Sequence, residues 1–323
     1  MADARAVRRP VDADLRLAAS VVARELEPSP VVASSRLGEH VVLKLETFHP
    51  TGSFKVRGGL VAMAQAADDG VAVVAASAGN HGLGVAYGAA RFGVPATIVV
   101  PENASAKKVH ALEQFDCTLV RHGQSYDEAE QHGLALAAAD PALRFVSPYN
   151  DPLTMAGQST ISLELLEQVP DLSTVVAPVG GGGLISGVAL GLLSEARADI
   201  RVIGVVADAS PAMLRAYEVG RDTSVVVEPT LADGLAGNLE PATITVDIVR
   251  EHVAAIVAVS EEAIAAGMRY LAFEHGIVSE GSGAVGVAAV QTGLVGRARE
   301  GATAVLVTGR NVAPATLAAV LSG

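Results

Sequence analysis

Tryptophan is absent from this 323-residue chain, aromatic residues make up 3% of it, and there is one cysteine. Without large rings the core has to be filled by Ala, Val, Leu and Ile, which a composition that is 50% hydrophobic supplies. A single cysteine excludes an intramolecular disulfide and points to a reducing compartment. Cys117 lies in an apolar, strand-like run with Thr118, Leu119 and Val120, and reads as a small core residue rather than a nucleophile. No apolar run reaches the ~18 residues of a membrane span. The N-terminal arginines have no apolar stretch behind them, so no signal peptide is expected and the cytoplasm is the expected location. Positive charge is also scarce: 23 basic residues face 35 acidic ones, a net charge of −12. That balance argues against nucleic acid and anionic membranes as partners.

What the chain does contain is alternation. Apolar runs of strand length fall at residues 41–46, 71–76, 96–100, 117–121, 174–178, 201–206, 256–259 and 303–307. Amphipathic helical patterns separate most of them, for example 105–115, 125–138, 152–169 and 261–275, and residues 11–25 carry another. This order predicts an α/β fold with mostly parallel sheets. Asp151 before Pro152 marks one helix start, and Ser260 before Glu261 and Glu262 marks another. Residues 218–237 lack helical periodicity and read as a long extended connection.

Lysine is rare enough to make each one informative. Lys107 and Lys108 follow a helix start and read as a solvated face. Lys44 lies in an alternating strand and is open to either side. Lys55 is different: it follows Thr51, Gly52, Ser53 and Phe54 and precedes Val56, Arg57, Gly58 and Gly59. Small residues there allow close approach of a ligand, and Phe54 offers an apolar wall. Ser53 reads as a helix N-cap, which puts Lys55 in a first turn, where cations are disfavoured. A desolvated lysine in that place becomes a usable amine, although a surface lysine after a turn fits the local residues equally well.

Two loops share a strand–loop–helix context. The run Val175–Val179 enters Gly180, Gly181, Gly182 and Gly183, and a helical stretch follows from Leu184; backbone N–H groups at such a helix head cradle a phosphate. Neither a P-loop lysine nor a dinucleotide spacing accompanies the glycines. Ser77, Ala78, Gly79, Asn80, His81 and Gly82 follow the strand at 71–76. Their N–H groups suit a carboxylate, and Asn80 suits a ring hydroxyl; His81 taken alone reads as a packing histidine. The strand at 303–307 ends in Thr308, a neutral hydroxyl at the carboxyl end of a strand, where α/β sheets bind ligands.

With these motifs in register from about Pro28 to Ala313, the chain resembles the fold-type II pyridoxal-phosphate enzymes, in the branch of threonine/serine dehydratases and serine racemases. Ala156-Gly157-Gln158 also matches in order and spacing. The resemblance implies two open, twisted, mostly parallel α/β domains with the cofactor in the cleft between them: a small domain at residues 71–147 and a large one from 1–70 and 148–323. It implies that Lys55 forms the Schiff base with pyridoxal 5'-phosphate, with Phe54 beside it. Asn80 would meet the 3'-hydroxyl, Gly180 to Gly183 with Leu184 the phosphate, and Thr308 the pyridine nitrogen. Ser77, Ala78, Gly79, Asn80 and His81 would surround the substrate carboxylate, with Asn150 a weaker candidate. A small amino acid is the implied substrate, and a homodimer the implied assembly.

The resemblance implies a dehydratase that eliminates the β-hydroxyl of an amino acid such as L-threonine or L-serine, leaving a 2-oxo acid and ammonia. A neutral Thr308 at the ring nitrogen favours elimination over return of the proton to Cα. Ala78 stands where racemases of the group place a second serine as the opposite-face acid/base. Arg310, in Thr308-Gly309-Arg310-Asn311, departs from the commoner Ser-Gly-Gly-Asn and is open to tuning the ring, binding an acidic substrate or facing outward. Where some relatives carry a cation-binding glutamate, this chain has Val206-Ala207-Asp208, and no metal is expected. Nor is a C-terminal regulatory domain expected after Gly323. The alternatives are a racemase, a 3-hydroxyaspartate or phenylserine dehydratase, a β-replacement or threonine synthase, or a cofactor-binding protein without catalysis.

Overall fold

The computed structural model describes residues 7–296 and 300–323. In chain order the elements are α1 (Asp12–Glu25), β1 (Val31–Ala33), β2 (Val41–Leu45), α2 (Lys55–Asp69), β3 (Ala72–Ala76), α3 (Asn80–Phe92), β4 (Ala96–Val100), α4 (Ala106–Leu112), β5 (Thr118–Arg121), α5 (Tyr126–Ala139) and β6 (Leu143–Phe145). They continue with α6 (Pro152–Gln168), β7 (Leu172–Pro178), α7 (Gly183–Ser194), β8 (Arg201–Ala207), α8 (Ala212–Val219), α9 (Thr245–His252), β9 (Ala255–Val259), α10 (Glu261–His275), α11 (Gly281–Gln291), β10 (Ala302–Val307) and α12 (Pro314–Ser322).

The chain forms two compact units, one of Met1–Glu27 with Lys55–Thr160, the other of Pro28–Phe54 with Ile161–Gly323. The segment 71–147 covers β3 to β6 and the helices between them; the compact unit adds α1, α2 and the first half of α6.

The first unit holds a fully parallel sheet in the order β5-β4-β3-β6. Side chains alternate across it. Val73, Ala75, Ile98 and Val100 enter one apolar cluster, while Val74, Ala76 and Val99 enter another on the opposite face. Strands buried on both faces need unbroken apolar sequence, which is why these runs are so apolar. The helices pack through glycines. A Cβ at Gly59 would lie 2.3 Å from the Gly84 carbonyl oxygen, and one at Gly84 would lie 2.7 Å from that of Lys55, so α2 and α3 touch backbone to backbone. A Cβ at Gly157 on α6 would lie 2.5 Å from Gly58 Cα. The glycines after Lys55 therefore admit neighbouring helices, not a ligand as their sequence suggested.

The second unit holds a six-stranded sheet, β1-β2-β10-β7-β8-β9, parallel except for β1 against β2. Alternation recurs: Val175 and Ala177 pack on one side and Val176 on the other. Lys44 is fully buried. Its amine donates to Ser29 O at 2.8 Å, Glu164 Oε2 at 2.5 Å and Gln168 Oε1 at 2.7 Å. Lys107 and Lys108 are exposed, and Cys117 is half-buried with its thiol pushed up by burial. From Gly220 the expected extended connection runs to a short 3-10 turn at Asp233–Leu235; the Glu261 carboxylate holds it through the Leu231 N–H at 2.7 Å and the Thr230 hydroxyl at 2.5 Å.

Candidate active site

Lys55 is the first residue of α2. The chain before it is pinned, because Ser53 pairs with Gly309 and the Phe54 N–H donates to Thr308 O at 3.0 Å. Ser53 is not the side-chain cap its position suggested: its backbone is committed to the bridge, and its buried Oγ has no hydrogen-bond partner among the described residues. The Lys55 side chain is half-buried, and its amine donates to Pro148 O at 2.6 Å.

Pro148 sits in a turn built by side chains. Ser147 Oγ accepts from the Asn150 N–H at 3.1 Å, and Thr154 Oγ1 donates to Ser147 O at 3.2 Å. Asp151 Oδ1 accepts from the N–H groups of Leu153 and Thr154 at 2.9 and 2.8 Å, capping α6 as its place before Pro152 predicted. Burial nevertheless raises the Asp151 carboxyl to about 6, against the lowering effect of those N–H groups. Asn150 is buried in the same turn.

The loop after β3 closes on itself. The Ser77 N–H donates to Val99 O at 3.0 Å, and Ser77 Oγ accepts from the Gly79 N–H at 3.0 Å. Ser77, Ala78, Gly79 and Asn80 are half-buried at the head of α3, whose first N–H groups lack intrahelical acceptors. His81 is buried, with Nε2 2.9 Å from Val146 O. A carbonyl only accepts, so Nε2 carries the hydrogen. Burial, with the nearby Lys55 charge, lowers the ring to about 3, so it is neutral at pH 7. His81 holds this loop to the Val146–Asn150 segment as a neutral donor and brings no positive charge. That segment thus gathers Lys55, His81 and Asn150.

In the second unit β7 ends in the glycine loop. Gly180 and Gly181 are half-buried, Gly182 and Gly183 buried. Gly182 has φ +88°, a left-handed conformation suited to glycine, and Gly183 opens α7. The first helical bond is the Ser186 N–H to Gly182 O at 2.9 Å, which leaves the earlier N–H groups at the helix head directed outward along its axis. Leu184 is buried in this first turn. β10 lies beside β7 with Val305 opposite Val176, so Thr308 and the glycine loop follow adjacent strand ends. Thr308 is buried. Glu280 braces the turn after it, accepting from the Asn311 N–H at 3.0 Å while its own N–H donates to Gly309 O at 3.0 Å. Arg310 is exposed, and its guanidinium makes no ion pair among the described residues.

Sequence reading did not single out Ser147, Pro148, Glu280 or Thr245, which supports the glycine loop from behind. Pro148, Glu280 and Thr245 have partners far away along the chain, while Ser147 bonds within its own turn, and no motif marks any of them.

Residues 22–309 match the family described as pyridoxal-phosphate dependent enzyme. The L-threonine ammonia-lyase of Thermotoga maritima is 41% identical over 283 residues, covering 87% of this chain and 69% of that protein. The maize serine racemase structure superposes with a TM-score of 0.89 at 30% identity, covering 98% of each chain. Threonine deaminase isoform 2 of Solanum lycopersicum gives 0.86 at 28% identity, covering 98% of this chain and 91% of that one. The chain belongs to the family of pyridoxal-phosphate dependent enzymes. Its cofactor is pyridoxal 5'-phosphate, and each unit carries groups whose chemistry suits it: the first a lysine amine, the second a helix head rich in N–H donors for a phosphate and a small hydroxyl at a strand end. No helix among the described residues is long and apolar enough to cross a membrane.

Proposed function

We propose that this enzyme is a dehydratase, an ammonia-lyase that converts a β-hydroxy amino acid such as L-threonine or L-serine to a 2-oxo acid and ammonia. The observation that carries the reading is the placement of Lys55: an amine at the head of a helix fixed by glycine contacts, donating to the neutral Pro148 carbonyl. The 41% identity to an L-threonine ammonia-lyase over most of the chain supports the same reaction.

In this reading Lys55 holds the cofactor covalently, with Phe54 beside it and Asn80 at the ring hydroxyl. Gly180 to Gly183 and Leu184 hold the phosphate through their N–H groups. Thr308 meets the ring nitrogen as a neutral hydroxyl and does not impose protonation there. The bound cofactor supplies the electron sink for the pair left when Cα loses its proton. The Lys55 amine would be the general base that takes that proton. Ser77, Ala78, Gly79, Asn80 and His81 hold the substrate carboxylate at the head of α3, with Asn150 nearby; because His81 is neutral, the N–H groups and helix dipole do this work. The β-hydroxyl leaves with a proton as water. The released enamine tautomerises to an imine, and a second water hydrolyses it to the 2-oxo acid and ammonia.

Ala78 carries no proton donor, so the face opposite Lys55 has no acid/base at that position. Elimination should therefore outrun inversion. The test is a panel of L- and D-serine, L-threonine, 3-hydroxyaspartate and phenylserine, scored for 2-oxo acid, ammonia and the enantiomer of each substrate. Pyruvate from L-serine well ahead of D-serine is expected. D-serine formation matching pyruvate formation would make the enzyme a racemase, and turnover confined to 3-hydroxyaspartate would shift the substrate class. The reading also includes a cytoplasmic homodimer, checked by sedimentation equilibrium.

A further inference from the structure

The four-glycine loop has a difficulty that its sequence does not solve. Glycine accepts φ of either sign, so a peptide plane between two glycines turns over at little cost. An anion site needs its N–H groups aimed one way. Something outside the loop has to choose the orientation.

Thr245, the first residue of α9, is fully buried, and its Oγ1 donates to Gly181 O at 2.8 Å. Thr245 Oγ1 also lies 3.0 Å from Thr243 Oγ1, on a side chain that is likewise buried. The Gly181 carbonyl only accepts, so the single Thr245 hydroxyl proton is committed to it. The Thr243 hydroxyl must then be the donor to Thr245. The result is a directed relay, Thr243 to Thr245 to Gly181 O, whose members polarise one another.

The peptide between Gly181 and Gly182 is trans, and in a planar trans peptide the C=O and the following N–H point in opposite directions. Holding Gly181 O against α9 therefore turns the Gly182 N–H away from α9. Gly182 is packed closely from both sides, since a Cβ there would lie 3.0 Å from Thr245 Cβ on α9 and 2.6 Å from Met213 Cε on α8, so the loop keeps its glycine against both helices. We infer that Thr245, backed by Thr243, is a positioning residue that sets the orientation of the Gly181–Gly182 peptide and thereby the affinity of the loop for a phosphate. The inference rests on the reading of Gly180 to Gly183 as the phosphate site.

A phosphate-specific readout separates this role from general support of the fold. Binding of pyridoxal 5'-phosphate and of pyridoxal, which lacks the phosphate, is measured by equilibrium dialysis for the full chain and its variants. Thr245→Val, close in shape but without the hydroxyl, should weaken pyridoxal 5'-phosphate by about tenfold and leave pyridoxal within about twofold. Thr245→Ser should restore the wild-type ratio. Thr243→Val should lower the ratio by a smaller factor, and this variant carries the test if Thr245→Val does not fold. Equal losses for both ligands, or an unchanged ratio in the folded threonine variants, overturn the inference. Gly180→Ala, whose Cβ would press on Leu235 Cα at 3.0 Å, tests the loop itself. If it leaves the ratio at the wild-type value, the loop is not the phosphate site. If it lowers the ratio while the threonine variants do not, only the role of Thr245 fails.

Discussion

Two lysines eleven positions apart are both withdrawn from solvent, and their partners separate their uses. Lys44 is the cation of a buried ion pair, its three N–H donors met by Glu164, Gln168 and Ser29. Lys55 donates to the neutral carbonyl of Pro148 at 2.6 Å. Lys55→Ala should remove the visible absorbance of protein-bound cofactor and lower turnover by at least about 10³-fold, the scale of a lost general base. Borohydride reduction followed by peptide mapping checks the attachment, and cofactor found on Lys44, Lys107 or Lys108 would refute the assignment. Lys44→Met should act on stability instead. Leaving Glu164 buried without its cation costs about 3–5 kcal/mol, and adding Glu164→Leu should recover much of it because no unpaired charge then remains. Denaturant midpoints of the single and double variants measure this. A double variant no more stable than Lys44→Met would mean that the pair is not the source of the loss.

At the scale of elements, the site depends on how closely helices approach. Gly59 lies inside α2, where alanine is intrinsically favoured over glycine by about 1 kcal/mol. The contact with Gly84 reverses the sign. A Cβ 2.3 Å from a backbone oxygen forces α2 and α3 apart, and such overpacking typically costs about 1–3 kcal/mol. Gly59→Ala should therefore lower the melting temperature and, by displacing the first turn of α2, weaken cofactor binding as well. A melting temperature at or above wild type would show that the helices yield without cost. The same contacts mark how far the sequence could be read. The apolar run at 96–100 and the capped helix at 261–275 are found at those limits, because period and caps are local signals. The three-residue strands β1 and β6 were missed, being too short to show a period. The motif around Lys55 was legible as an amine among small residues. That its glycines receive α3 and α6 was not, since those partners lie 25 or more positions away and nothing near Lys55 encodes them. The Thr243–Thr245 relay is hidden for the same reason.

For the whole molecule, stability against pH depends on the difference in bound protons between the folded and unfolded chain, and two buried groups of one unit pull it in opposite directions. His81 falls from 6.5 to about 3 on folding, through burial first and the Lys55 charge second. Between those values the unfolded chain binds more protons, so this contribution grows as pH rises and is lost as pH falls below 6.5. Asp151 rises from 3.8 to about 6, through burial. Between its two values the folded chain binds more protons, so its contribution shrinks as pH rises. From about pH 4 to 6 each group alone tilts stability by up to ~1.4 kcal/mol per pH unit, with opposite sign, and the two slopes offset. Asp151→Asn keeps a side chain able to cap α6 and removes one slope, so relative to wild type it should gain stability steadily as pH rises from 4 to 6. His81→Asn should do the reverse over the same window, losing stability relative to wild type as pH rises. Subtracting wild-type denaturation free energies at each pH cancels the exposed carboxylates that all three proteins share. Parallel curves for wild type and Asp151→Asn would mean that this carboxyl ionises in the folded chain at its ordinary value, and that the cap outweighs burial.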